Sequence, residues 1–144
     1  MSRRKGRILA FQALYAYDMG RKSLDELLSL SWYVSGDGEE DEPAPLTQET
    51  QDFARILIAG TINHLAEIDA LIERHLESGW TIKRVRKVSV AILRISVYSL
   101  LFQKETAGSV IIDEAVIIAK RYGDMNSFKF VNALLDNINK ELRT

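Results

Sequence analysis

Residues 85–102 read VRKVSVAILRISVYSLLF, and this stretch decides the fold. A helix built from these residues is apolar on nearly every side, a pattern typical of a helix buried at the centre of a protein. Arg94 and several serines interrupt the run, so it is too polar to be a membrane-spanning helix. We therefore expect an all-α protein in which other helices pack around this one.

Amphipathic patterns on both sides of this stretch predict the surrounding helices. Ile8, Phe11 and Tyr15 mark the buried stripe of a first helix, because they recur at three- and four-residue steps. The same spacing predicts one long helix from Thr47 to Leu76. Glycines, acidic residues and prolines predict a loop at residues 36–45. The other boundaries suggested by capping residues are Gly20, Ser23, Thr81, Gly108-Ser109, Gly123 and either Asn126 or Ser127.

The composition sets limits on the kind of protein. A chain of 144 residues with 47% hydrophobic content can form one core, so we expect a single compact domain over residues 1–144. There is no cysteine, and the first residues lack the apolar run of a signal peptide, so we expect a cytoplasmic protein that does not enter the membrane. His64 and His75 lie roughly 16 Å apart on the predicted long helix, at about 1.5 Å per residue, and cannot share a metal. We expect no metal and no cofactor.

Positive charges collect at the predicted helix starts, although the net charge is only −1. Helix N-termini favour Asp or Glu, and the helices near Ser23 and Ser109 follow this rule with acidic residues close behind. Three other helices break it with Arg3, Arg4, Lys5 and Arg7, with Lys83, Arg84, Arg86 and Lys87, and with Lys129. Each such cation costs about 0.3–1 kcal/mol when unscreened, which is tolerable if the ends converge to bind a phosphate. Ordinary surface solubility is the competing explanation.

The segment Phe128-Lys129-Phe130 adds aromatic rings to one of these helix starts. Val131 and Leu134 set the core stripe of the last helix, and Phe130 lies about 100° from Val131 around its axis. An exposed ring beside cations can stack a base while the cations bind the backbone of single-stranded RNA. The alternative is that the rings belong to the core, an explanation that suits Phe128 better than Phe130.

Catalytic patterns are scarce, so we expect no enzyme. There is no Walker motif and no nucleophile elbow. A carboxylate mechanism could use Asp113, Glu114 and Asp136. However, Asp113 and Glu114 are adjacent and point about 100° apart on a helix, which argues against joint acid–base work.

Four segments together resemble the transcription antitermination factor NusB family, in the family's order and spacing. They are residues 3–7 (RRKGR) with 11–15 (FQALY), residues 93–98 (LRISVY), residues 112–123 (IDEAVIIAKRYG) and residues 129–136 (KFVNALLD). The resemblance implies an all-helical fold of two packed sub-bundles, with about seven helices. It also implies binding of the boxA RNA element of ribosomal operon leaders and pairing with NusE, a small-subunit ribosomal protein, within the RNA polymerase antitermination complex.

The resemblance also assigns residues to these surfaces. The RNA surface would comprise Arg3, Arg4, Lys5, Arg7, Asn126, Ser127, Lys129 and Phe130. The NusE surface would draw on Tyr15, Tyr98 and Ser99, where Ser99 stands at a position commonly acidic in the family. Two alternatives stay open at this point: a helical adaptor that binds only proteins, and a homodimer.

Overall fold

The structure is a computed structural model that describes residues 2–20, 22–33 and 46–143. Within these ranges the chain forms seven α-helices and no strand, which confirms the predicted class. The helices are α1 (Ser2–Asp18), α2 (Leu24–Ser29), α3 (Gln48–Asn63), α4 (Leu65–Arg74), α5 (Lys87–Phe102), α6 (Gly108–Tyr122) and α7 (Ser127–Arg143), with a 3-10 turn at Ile82–Arg84. The loop predicted at residues 36–45, with its acidic segment 37–42, lies outside the described residues. None of the described helices has the length and apolar content needed to cross a membrane.

Helix α5 lies at the centre of the fold, as the sequence predicts. Every residue from Ser89 to Val97 is buried. Helices α1 and α3 pack on α5 and on each other, and helices α6 and α7 do the same. Two helical sub-bundles therefore share α5, which confirms the expected architecture.

Arg94 carries a charge into this core and is neutralised there. Its guanidinium donates to both carboxylate oxygens of Asp69, at 2.9 and 2.8 Å, and to Asp18 at 3.4 Å. Burial alone would lower the pKa of Arg94, but the bonds and charges of Asp69 and Asp18 outweigh it and raise the pKa. The network ties α1 and α4 to the central helix.

A second arginine closes the C-terminal end of α5. The last carbonyls of a helix have no partner within it. The guanidinium of Arg143, on α7, donates to the carbonyls of Ser99, Leu100, Gln103 and Thr106 at 2.7–3.4 Å. The end of α7 is thereby fixed to the junction between α5 and α6.

Three details of the predicted helices are wrong. The long helix breaks at His64, whose backbone (φ −116°, ψ 24°) separates α3 from α4, so the two histidines do not share a helix. Thr81 makes no side-chain cap, and α5 begins only at Lys87. The first turn of α6 contains no acidic residue. The apolar spacing reports which residues are buried, and it continues across a break in the backbone.

Candidate nucleic-acid interface

The start of α1 presents arginines held in place by an aromatic ring. The first turn of α1 has no acidic residue. The guanidinium carbons of Arg3 and Arg7 lie 4.3 and 5.3 Å from the centroid of the Phe53 ring, on α3. Phe53 comes this close because residue 6 is glycine: a Cβ there would lie 2.6 Å from the ring. Burial lowers the pKa of Arg7, and the neighbouring Arg3 and Arg4 lower it further against the opposing charge of Glu114.

Arg4, beside them, is paired with a carboxylate. Its Nε and Nη2 donate to the two oxygens of Glu114, on α6, at 2.9 and 3.1 Å. These bonds hold the pKa of Glu114 below its usual range. Any phosphate that binds Arg4 must therefore displace or share it with Glu114.

Lys5 does not lie on the surface that the sequence suggested. Its side chain is buried, and its ammonium lies 5.3 Å from the centroid of the Tyr33 ring. The helical period explains this, because residues three and four apart share a face and the next residues on that face, Ile8 and Leu9, belong to the core. The structure thus removes Lys5 from the set of cations that face solvent at the start of α1.

The start of α7 is capped by a residue that sequence reasoning missed. Oδ1 of Asp124 accepts the backbone N–H groups of Asn126 and Ser127, at 3.2 and 3.0 Å. The Ser127 hydroxyl is buried and donates to the backbone carbonyl of Asp124. Asn126 is exposed, as expected of a residue on the RNA surface. Ser127 is buried, so its side chain does not belong to that surface.

The aromatic residues of α7 divide as the sequence suggested. Phe128 is half-buried, and the ammonium of Lys120 lies 4.9 Å from its ring centroid. Phe130 is 36% exposed, and Lys129 beside it is exposed. Phe130 is therefore the ring that a ligand can reach.

Only two of the three basic helix starts come together. Arg86, just before α5, pairs with Oδ2 of Asp124 at 2.9 Å, which joins the start of α5 to that of α7. Arg4 meets α6 at Glu114, eight residues before Tyr122, hence about 12 Å from the α7 end of α6 at about 1.5 Å per residue. Contacts therefore join two of the three starts that were expected to converge, and the third, at α1, contacts α6 at Glu114, about two turns before the end of α6 that leads to α7.

An open cleft lies between the starts of α5 and α7, beside the Arg86–Asp124 ion pair. Its volume is about 590 Å³, and its walls include Trp80, Arg84, Asn126, Phe130 and Asn137. Trp80 is 47% exposed. Trp80 was not among the residues predicted from the sequence, and no spacing rule pointed to the cleft, because its walls come from separate elements.

A second exposed surface carries aromatic side chains on α5. The Tyr98 ring packs over Gly60, where a Cβ would lie 2.3 Å from its Cζ, and stands 5.2 Å from the ring of Phe102. The imidazole of His64 lies 4.3 Å from the Phe102 ring. Tyr15, on α1, is 37% exposed. His64 and Phe102 were not predicted as members of this aromatic cluster.

Ser99 does not join that surface. Its side chain is buried, and its hydroxyl lies 2.7 Å from Oε1 of Gln103. The position after Tyr98 thus turns toward the interior of the chain. The expectation that Ser99 offers its side chain to a partner does not fit this burial.

The fold and these surfaces define an all-helical protein, built on one central helix, that exposes basic helix starts and aromatic side chains. Residues 4–140 match the family model described as the NusB family. The chain belongs to this family of transcription antitermination proteins.

Individual relatives are similar over nearly their whole length. The transcription antitermination protein NusB of Treponema denticola is 46% identical over 138 residues, which cover 96% of each chain. That of Thermus thermophilus is 38% identical over 136 residues, 94% of this chain and 89% of the relative.

Solved structures share the fold. The structure of NusB from T. maritima has a TM-score of 0.82 and 38% identity, and the match covers 99% of this chain and 93% of that one. A crystal structure of antitermination factors NusB and NusE in complex with dsRNA has a TM-score of 0.78 and 26% identity, with 97% of each chain covered.

Proposed function

We propose that this chain is an antitermination factor of the cytoplasm that binds RNA, pairs with NusE and has no catalytic activity of its own. The observation that carries the proposal is the start of α1, where Phe53 holds the guanidinium groups of Arg3 and Arg7 and no acidic residue occupies the first turn. Membership of the NusB family and likeness to a NusB–NusE–dsRNA complex support it.

The RNA is a single strand of the boxA type. Arg3 and Arg7 bind its phosphates, and Arg4 joins them by exchanging Glu114 for a phosphate oxygen. The strand then follows α6 for about 12 Å toward α7. There Asn126 and Lys129 contact it, and the ring of Phe130 stacks a base. Lys5 and Ser127 do not contact the strand directly, since both are buried, and they support the helix starts that do.

NusE binds the other surface. Tyr15 and Tyr98 offer aromatic rings whose hydroxyl groups can form hydrogen bonds at a protein interface. Phe102 extends this apolar area, being 42% exposed beside Tyr98. Because the side chain of Ser99 is buried, the contact depends on apolar packing rather than on an ion pair at that position.

Titration of a labelled boxA-type RNA by fluorescence anisotropy, at several salt concentrations, tests the RNA contact. Each phosphate contact contributes about −0.7 to the slope of log affinity against log salt. The double variant Arg3→Gln, Arg7→Gln should therefore flatten the slope by about 1.4. Lys22→Gln, beyond the opposite end of α1, is the control and should leave the slope unchanged. A salt-independent affinity would overturn the proposal.

One observation favours a second candidate, an adaptor that binds proteins only. Three basic side chains at the helix starts already meet carboxylates: Arg4 with Glu114, Arg86 with Asp124, and Lys87 with Asp18. This candidate predicts that the chain captures NusE but leaves the anisotropy of the RNA unchanged, both alone and with NusE.

A further inference from the structure

We propose that the cleft between the starts of α5 and α7 is a pocket for one unstacked base of the bound RNA, held between Trp80 and Phe130. This inference rests on the proposed function and adds a place at which the protein reads a nucleotide. The volume of about 590 Å³ lies within the range of small-ligand sites, about 300–1,000 Å³.

The backbone at Trp80 is held by a turn, and a cation lies near its ring. Gly79 adopts a left-handed conformation (φ 89°), and the backbone N–H of Trp80 donates to the carbonyl of Glu77 at 2.9 Å. The guanidinium carbon of Arg84 lies 5.3 Å from the centroid of the indole. Trp80 as a whole nevertheless remains 47% exposed, so a base can stack on the part of its ring that Arg84 leaves uncovered.

Phe130 contributes a second ring to the same cleft from α7. It is 36% exposed, although Val131 beside it and Leu134 one turn later are buried. Two partly exposed aromatic rings in one cavity gain free energy when a ligand shields them from water. Flat bases are ligands that such rings bind by stacking, and stacking works for any of the four bases.

The polar side chains of the cleft suit the edge of a base. Asn126 and Asn137 each offer an amide donor and an acceptor, and Glu77 offers a carboxylate that can accept from an exocyclic amino group. Arg84 lies beside Trp80 and can meet the phosphate of the same nucleotide. The remaining walls, which include Leu76, Val85 and Leu134, are apolar and can contact the flat faces of a base while the amides meet its edge.

Tryptophan fluorescence gives a direct test, because the chain has only two tryptophans. Trp32 is part-buried, and its indole N–H donates to the carbonyl of Leu27. The variant Trp32→Phe therefore leaves Trp80 as the only reporter. Adding boxA-type RNA should quench Trp80 with the same midpoint as the anisotropy titration.

A double-perturbation experiment shows which nucleotide enters the cleft. Trp80→Ala should weaken RNA binding by about 5- to 150-fold, the range expected for one stacked base. A series of RNAs, each with one abasic position, should contain a single position whose loss is not additive with Trp80→Ala. Met125→Ala, an exposed residue of the adjacent loop outside the cleft, is the matched control and should bind as the unchanged chain does.

Thermal melting checks that each variant is folded. If Trp80→Ala is unfolded, Asn137→Ala carries the same test, because Asn137 lines the cleft from an exposed position on α7. RNA binding without quenching of Trp80, and with every abasic loss additive, would overturn the base pocket and leave the proposed function standing. Absence of RNA binding, alone and with NusE, would overturn both.

Discussion

Replacing Glu114 with glutamine should weaken the fold and tighten RNA binding at the same time. The substitution keeps the shape of the side chain but removes the charge that holds Arg4 at 2.9 and 3.1 Å. Because the Arg4 side chain is 42% exposed, water screens this ion pair, and the pair contributes about 0.5–1 kcal/mol to the free energy of unfolding. The free energy of unfolding should fall by that amount in Glu114→Gln. RNA binding regains it, since Arg4 no longer has to leave Glu114, and this corresponds to about two- to fivefold higher affinity.

The matched control is Asp113→Asn, which changes the net charge equally. Asp113 is exposed and points about 100° away from Glu114 around α6. It should therefore report only the general effect of removing a negative charge. Anisotropy titrations at one salt concentration compare the three proteins. If Glu114→Gln binds RNA no more tightly than Asp113→Asn does, the idea that Glu114 competes with phosphate for Arg4 is wrong.

The stability difference between the unchanged chain and Glu114→Gln should depend on pH. Arg4 holds the pKa of Glu114 below its usual range, so the carboxylate stabilises the folded chain fully above about pH 4.3, the ordinary glutamate value. That contribution is lost as the pH falls through the lowered pKa. Urea denaturation should therefore show a constant gap between the unchanged chain and Glu114→Gln near neutral pH, and the gap should close in acid. A gap that widens in acid would contradict this.

Three further substitutions test the packing. Gly60→Ala should cost roughly 1–3 kcal/mol and weaken NusE binding, because its Cβ would lie 2.3 Å from Cζ of Tyr98; thermal melts and a NusE titration measure both effects. Asp69→Asn should destabilise the chain by about 2–3 kcal/mol, because the buried Arg94 then keeps only Asp18 as a charged partner, and adding Arg94→Met should recover part of the loss in urea denaturation. Ser23→Ala removes the capping box of α2 and should cost about 1 kcal/mol in the same assay; an unchanged midpoint would show that the cap contributes nothing.

Features that depend on neighbouring residues were predictable from the sequence. Ser23 and Thr47 cap their helices through local bonds, and α5 is buried because its own residues are apolar all round. The break at His64 was not predictable in this way. Ile68, Leu71 and Ile72 are buried beyond the break, so the apolar pattern is the same with or without it.

In the candidate site, too, local features were predictable from the sequence and contacts between distant segments were not. The cations at the start of α1 were visible in the sequence, but their attachment to Phe53 requires α3 to pack against α1. The inward position of Lys5 could have been found, since it shares a helical face with Ile8. The role of Asp124 as the cap of α7 and the partner of Arg86 was hidden, because the second contact joins residues far apart in the chain.

The attachment of Arg143 to the end of α5 bears on how the chain is synthesised. Four carbonyls at the junction of α5 and α6 receive their donor from a residue translated some forty positions later. While the chain is still leaving the ribosome, water must solvate those carbonyls, and the central helix can fray from that end. Docking of the last turn of α7 then supplies the missing donor, so a polypeptide that stops before residue 143 lacks the side chain that bonds these carbonyls at the end of the central helix.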